Sequence, residues 1–141
     1  LAKAEAAAVA ARPGADAELQ ERHEALMLSV SSRYMNEKKV ADAARVWREA
    51  QKRYPQSIDV AYIGARLDQE QGKHGEAIAS FENLLARLPK PHVHYRIGKS
   101  LVALGEKAKA RAAFEKALSF KSGLSARMRT DAEEVLKSLR G

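Results

Sequence analysis

The sequence predicts an all-α fold, a solenoid of antiparallel helical hairpins, and three observations carry that prediction. Ala, Leu, Glu, Lys and Arg dominate the 141 residues, with 45% hydrophobic and 30% charged side chains and only 8 Gly and 4 Pro, a mixture that favours helix over strand or disorder. A short motif recurs with offsets of 34 and then 33 residues: Ala43, Trp47 and Ala50, then Ala77, Phe81 and Leu84, then Ala110, Phe114 and Ala117. Within each copy the steps of four and three put all three side chains on one helical face, a stripe that is buried only against a neighbouring element.

Taken in chain order, residues 1–12 read as an Ala-rich helix stopped at Arg12-Pro13-Gly14, the second half of a preceding unit. With Leu1 where an initiating Met would stand, a piece of a longer chain is expected. Pro13 to Pro55 spans 42 residues, so the helix from about Ala15 to Met35 is expected to be two turns longer than a unit needs and to project beyond the stack. The units themselves are placed at 24–57, 58–90 and 91–123. Each opens with an apolar helical stretch, Leu26, Val30 and Tyr34 in the first, Tyr62, Ile63 and Leu67 in the second, and Tyr95, Ile97, Leu101, Val102 and Leu104 in the third. Gly72 and Gly105 are expected to take the left-handed conformation that ends these first helices, with Asn36 replacing glycine in the first unit. Pro55 and Pro89 end the second helices, and Ser122 stands where a third proline would. Residues 124–140 repeat Leu124, Met128, Ala132, Leu136 and Leu139 at helical spacing among charges, which reads as a cap whose polar side closes the array.

Catalytic chemistry finds little footing. No Cys is present, which removes thiolate nucleophiles and thiolate metal sites. His92 and His94 are two apart, diverge on a helix and have no carboxylate cluster at ligand spacing; His92 is expected to help begin a helix, His94 to pack at its inner edge and His74 to lie in a turn. Ser29, Ser31, Ser32 and Ser80 lack nucleophile-elbow glycines, and Gly72-Lys73-His74-Gly75 lacks the strand and length of a phosphate loop. No apolar run reaches the roughly 20 residues of a membrane span, and no signal-peptide core is visible. The expectation is a protein without enzyme activity, metal or cofactor, cytoplasmic or periplasmic.

The residues above resemble the tetratricopeptide repeat family over 24 to 122. That family's unit of about 34 residues has a small residue at position 8, Gly at 15, Ala at 20, an aromatic at 24, Ala at 27 and Pro at 32. The third unit is similar through Ile97, Gly98, Leu101, Gly105, Ala110, Phe114 and Ala117, and the first through Ser31, Tyr34, Ala43, Trp47, Ala50 and Pro55. The second departs in its first helix, where Asp68 falls at an apolar position, and a shift or bulge of one residue is expected there.

The resemblance implies a right-handed superhelix whose concave groove, lined by the first helices, binds a partner protein or peptide. Ser32, Met35, Asn36, Tyr62, Arg66, Gln69, Tyr95 and Lys99 fall on the groove positions, with Arg96 near the rim. Tyr62 and Tyr95 would lie against an extended peptide and Arg66, Arg96 and Lys99 would engage its carboxylates. Of the positions at which some members clamp the acidic tails of heat-shock chaperones, occupied here by Leu28, Ser32, Ile63, His92 and Arg96, only Arg96 carries the matching residue. The family also implies a bacterial scaffold of an envelope machine, such as pilus assembly or polysaccharide export, the Ala- and Arg-rich composition pointing to a bacterial source.

Two other readings compete. Net charge is +7, and 12 of the 25 basic but only 5 of the 18 acidic residues lie from residue 90 onward, which suits a nucleic acid or anionic polymer bound through Lys107, Lys109, Arg111, Lys116, Lys121, Arg127 and Arg129. Against it, Lys107, Lys109 and Arg111 point to different sides of one helix and no aromatics interleave to stack bases. The N-terminal helix, finally, offers an apolar side through which a homo-oligomer would stack.

Overall fold

The computed structural model describes residues 15–140, so the helix expected over 1–12 and the homo-oligomer built on it lie outside the described residues. Among those residues there are seven α-helices and no strand: α1 (Ala15–Asn36), α2 (Val40–Arg53), α3 (Ile58–Glu70), α4 (His74–Leu85), α5 (Pro91–Ala103), α6 (Lys107–Leu118) and α7 (Ala126–Arg140). They form two compact units, one through Val60 and one from Ala61.

In the first unit α1 and α2 pack as an antiparallel hairpin. The stripe residues Ala43 and Ala50 on α2 are fully buried, and from α1 they meet Ser31 and Met35, which are one turn apart and therefore share a face. Ser31 satisfies its buried hydroxyl by donating to the Ala43 carbonyl at 2.9 Å. Trp47 is half-buried rather than buried, and its indole N–H donates to the Val60 carbonyl at 2.7 Å. α1 is 22 residues long, and Asp16, Ala17, Gln20, Glu21 and Arg22 at its start are exposed. One turn further on, His23 Nδ1 and the Tyr54 hydroxyl hydrogen-bond at 2.7 Å and tie α1 to the end of α2. The Ser57 hydroxyl accepts from the Val60 N–H at 3.1 Å and caps α3, a local signal the sequence reading passed over.

The turn after α1 corrects the assignment of Asn36. The left-handed residue is Lys38, at φ 64°, while Asn36 is the last residue of the helix. Lys38 N–H bonds the Met35 carbonyl at 3.0 Å and Lys39 N–H the Tyr34 carbonyl at 2.8 Å. Gly72 with Lys73 and Gly105 with Glu106 make the same pair of bonds, and these glycines have φ of 79° and 77°. All three turns are thus Schellman motifs, with the left-handed residue 34 and then 33 positions apart, so the repeat period rather than residue preference fixes where that conformation falls.

In the second unit α4, α5, α6 and α7 pack successively around a core that includes Ala77, Phe81, Leu84, Val93, Ile97, Leu101, Ala110, Phe114, Ala117, Ala132 and Leu136. Phe81 and Phe114 are 0% exposed, and each contributes roughly 1.5–3 kcal/mol of burial. Close approach is needed at Gly98, where a Cβ would sit 2.8–3.0 Å from the Phe114 ring. Pro91, buried at the first position of α5, fixes the backbone for helix entry and lies against Gly123, whose φ is 104°. Sequence reasoning gave that entry to His92 and overlooked both residues. Ser125 caps α7 by accepting from the Met128 N–H at 3.1 Å.

The bulge expected in the second unit is absent, and α3 is regular from Ile58 to Glu70. Ala65 and Leu67 are buried, whereas Asp68 is half-buried, its carboxyl held above the usual range by that burial and by the nearby charge of Glu76. The polar side chain is accommodated at the margin of the core without a break in the helix.

Candidate functional site

The residues expected to line a groove are divided between the two units. In the first unit, Ser32 is half-buried, Asn36 is exposed, and Met35 is 1% exposed. Met35 is therefore a core residue and not a contact surface, because it shares the Ser31 face that packs on α2.

In the second unit α3 and α5 run beside one another, joined by Gln69. Its side-chain amide donates to the Arg96 carbonyl and to the Ser100 hydroxyl, both at 2.7 Å, and Ser100 Oγ also lies 3.0 Å from His74 Nδ1 at the start of α4. Gln69 thus serves as a fastener between helices, although its position had suggested a ligand contact. Tyr62 stacks at a tilt on Phe81, ring centres 5.7 Å apart, and presents its ring to the edge of His92 at 5.1 Å. Arg96 lies over the Tyr95 ring at 5.7 Å, and its Nε donates to the Tyr62 hydroxyl at 3.4 Å.

Tyr95 and Lys99 meet α7. The Tyr95 hydroxyl donates to Asp131 at 2.5 Å and Lys99 to the same carboxylate oxygen at 3.1 Å. Burial chiefly, then the bond to Asp131 and its charge, pushes the Tyr95 phenol up to about 12. Burial also acts to raise Asp131, but the bonds from Tyr95 and Lys99 and the charges of Lys99 and Arg127 outweigh it and hold this carboxyl below its usual value. At 7% exposure, with its ring against Phe114, Tyr95 is unavailable to lie flat against a peptide. This corrects the expectation for Tyr95, and the cause is that α7 covers it. Beside it lies a cavity of about 590 Å³ lined by Tyr95, Lys99, Arg127, Thr130, Asp131 and Glu134.

Arg66 is set differently, with no ion pair of the Lys99–Asp131 kind among the described residues. Its Nε is buried without a hydrogen-bond partner, and burial first, then the charge of Arg96, holds the guanidinium below its usual value against weaker opposing effects of Tyr62 and Glu70. The face left by α3 and α5 therefore consists of Tyr62, Arg66, Arg96 and His92, two cations and two rings.

Family models for the tetratricopeptide repeat match residues 91–123 and, separately, residues 24–57. The fold is similar to the TPR domain of Sgt2 from Aspergillus fumigatus, with a TM-score of 0.64, 19% identity, and coverage of 84% of this chain and 83% of that one. The chain is a tetratricopeptide-repeat protein. Its fold is the all-α helical-repeat solenoid of that family, and at this identity the likeness to Sgt2 speaks for the fold alone. No curated protein sequence matches it.

Among the described residues no group of three or more His, Asp or Glu side chains is placed to hold a metal ion, and no helix is long and apolar enough to cross a membrane. His94 is half-buried 5.9 Å from Phe120, held below its usual pKa by burial and by the charge of Lys116. It lines a second cavity, about 480 Å³, with Ile78, Leu85, Ile97, Leu101 and Leu104, on the side where α4 and α6 flank α5.

Proposed function

We propose that this tetratricopeptide-repeat protein is a non-catalytic scaffold that holds a partner protein or peptide on the Tyr62, His92, Arg66 and Arg96 face of its second unit. The family's general role as a protein-interaction scaffold supports the class of function. The observation that carries the location is Arg66: its Nε is buried without a hydrogen-bond partner and the charge of Arg96 acts on it more than that of Glu70 does, which leaves a donor for an acceptor on a partner. Lys99, expected to share this role, is instead paired with Asp131 and belongs to the support of the face.

The anionic-polymer alternative finds less support. Arg111 donates to the Leu139 carbonyl at 3.0 Å, Arg129 to the Phe120 carbonyl at 3.1 Å, and Lys116 lies over the Phe120 ring at 5.8 Å, so three of the basic groups it needs hold the fold together.

The test is a pull-down from a lysate of the source organism with the wild type and with an Arg66→Ala/Arg96→Ala variant shown to be folded by circular dichroism. Loss of a specific partner in the variant supports the reading, and equal retention by both moves the interface elsewhere. An envelope assembly or export machine, the setting the resemblance implies, is the first place to look for that partner.

A further inference from the structure

We propose that the groove over α5 between α4 and α6 is a second docking surface, for an amphipathic helix of a partner protein whose apolar stripe is bordered by basic residues on one side and acidic residues on the other. It is separate from the Tyr62, Arg66 and Arg96 face, and neither reading rests on the other.

The floor is set by spacing. His94, Ile97, Leu101 and Leu104 follow one another at steps of three, four and three, so they share one side of α5, and all of them line the cavity of about 480 Å³. Arg96 and Lys99 each lie two positions beyond a floor residue and so fall on another side of the helix. The groove stays open because its walls are small: a Cβ added at Gly75 on α4 would meet nothing within 4 Å, and the α6 wall offers Ala112 and Ala113. Leu104, at the lip, is 52% exposed, although Ile97 and Leu101 beside it on the floor are buried. An apolar floor with an exposed leucine at its lip suits a helix that inserts residues recurring at steps of three and four. Its length agrees: the α4 wall from Gly75 to Leu85 and the floor from His94 to Leu104 each run about 15 Å, close to three helical turns.

The two walls differ in charge, which sets the borders of the stripe. α4 carries Glu76 and Glu82 and no Lys or Arg, whereas α6 carries Lys107, Lys109, Arg111 and Lys116 against Glu115 alone. Glu82 and Lys109 are the charged residues that the two helices bring to the cavity, and Glu106 adds a carboxylate at the end beside Leu104. All three are exposed, and none has an ion pair among the described residues. His94 adds little charge at neutral pH, since burial and the charge of Lys116 hold it below its usual value, and Lys116 itself lies over the Phe120 ring. A helix seated in the groove therefore meets a carboxylate on its α4 side and an ammonium on its α6 side. The net charge of +7 on the whole chain would favour an acidic partner, and the α4 wall is what argues against one of a single sign.

The test uses the whole chain with methyl-labelled isoleucine and leucine, followed by ¹H–¹³C correlation. The probes are acetylated peptide amides, each shown to be monomeric at the concentrations used. LKELKAELKELKAE places Lys along one side of its leucine stripe and Glu along the other, LKKLKAKLKKLKAK and LEELEAELEELEAE carry a single sign on both sides, and SKESKAESKESKAE lacks the stripe. The proposal expects a saturating shift of the Ile78, Ile97, Leu101 and Leu104 methyls with the two-sided peptide, binding weaker by roughly threefold or more with either single-sign peptide, and no shift with the serine peptide. Lys109→Glu, at an exposed position, makes both walls acidic and is expected to turn the preference to the all-lysine peptide. Gly75→Leu and Ala112→Leu fill the groove from exposed positions and are expected to abolish the response. No saturating shift with the two-sided peptide, an equal shift with the serine peptide, or a response that survives both filling substitutions overturns the groove as a helix site. A single-sign peptide that binds the wild type as well as the two-sided one overturns the partner's charge pattern. The Arg66→Ala/Arg96→Ala variant should respond as the wild type does, so a pull-down that fails leaves this surface standing, and a silent groove leaves the result of the pull-down untouched.

Discussion

Gly98 offers a measurement of how tightly the repeat helices are set. At an exposed site inside a helix, Gly→Ala raises stability by about 1 kcal/mol, because alanine loses less backbone freedom on folding. At Gly98 the new methyl would lie 2.8, 2.9 and 3.0 Å from three atoms of the Phe114 ring, closer than such contacts occur. The ring has little room to retreat: Phe114 is fully buried and its other neighbour, Tyr95, is 6.0 Å away and fixed through Asp131. Overpacking of this kind costs typically about 1–3 kcal/mol. The two effects together leave Gly98→Ala about 1 kcal/mol less stable than the wild type. Urea unfolding followed by circular dichroism reads this difference. Shrinking the ring should relieve the crowding, so a cycle with Phe114→Leu is expected to show a favourable coupling on the order of 1 kcal/mol. A Gly98→Ala protein that gains the full propensity increment would refute the packing of α5 on α6 described above.

Other substitutions probe other parts of the account. Phe81→Ala or Phe114→Ala is expected to cost about 3–5 kcal/mol, and a thermal melt unchanged within error would contradict the burial of the stripe. Lys38→Gly relieves a left-handed residue, a strain of about 1–2 kcal/mol, and gives back part of that gain through the freer unfolded chain, for a net stabilisation of about 0.5 kcal/mol in urea unfolding; a destabilised variant would speak against that backbone conformation. Asp131→Asn is expected to lose about 1 kcal/mol at neutral pH, discounted because the carboxylate is 34% exposed. Because the fold lowers the Asp131 pKa, this stabilisation is fully present above the unfolded value near 3.8 and is lost as pH falls through the lower folded one. The gap between wild type and variant should therefore close in acid, and a gap that persists well below pH 3.8 would argue against the Tyr95–Asp131–Lys99 arrangement.

What the sequence made legible was whatever depends on period. The stripe from Ala43 to Ala117, the glycine turns at Gly72 and Gly105 and the long α1 all follow from spacing, since a helix face that repeats every unit has one way to be buried. Lys38 shows the limit of residue preference. Asn36 had the better intrinsic claim to a left-handed conformation, but the register of the turn overrode it. The candidate site was legible as a set of positions and not as a set of available side chains. Met35 fell on a groove position yet packs into the core, and Tyr95 fell on another yet lies under α7, because availability depends on which neighbouring helix covers a face. Spacing does not contain that information. The difference between the two cations was equally hidden: it requires knowing that Lys99 has a carboxylate within reach and that Arg66 Nε is buried without a hydrogen-bond partner. Ser57 and Ser125 were visible signals, serines just ahead of apolar helical runs, that the reading did not use.

The most direct test of the central claim is site-specific photo-crosslinking of the whole chain in its native lysate, with a benzophenone amino acid placed at Tyr62 or, as a control, at the exposed Glu115 on α6. The account predicts a discrete crosslinked partner from position 62 that is absent from position 115. The same partner captured from position 115 and none from position 62 would contradict it, and would place recognition on α6.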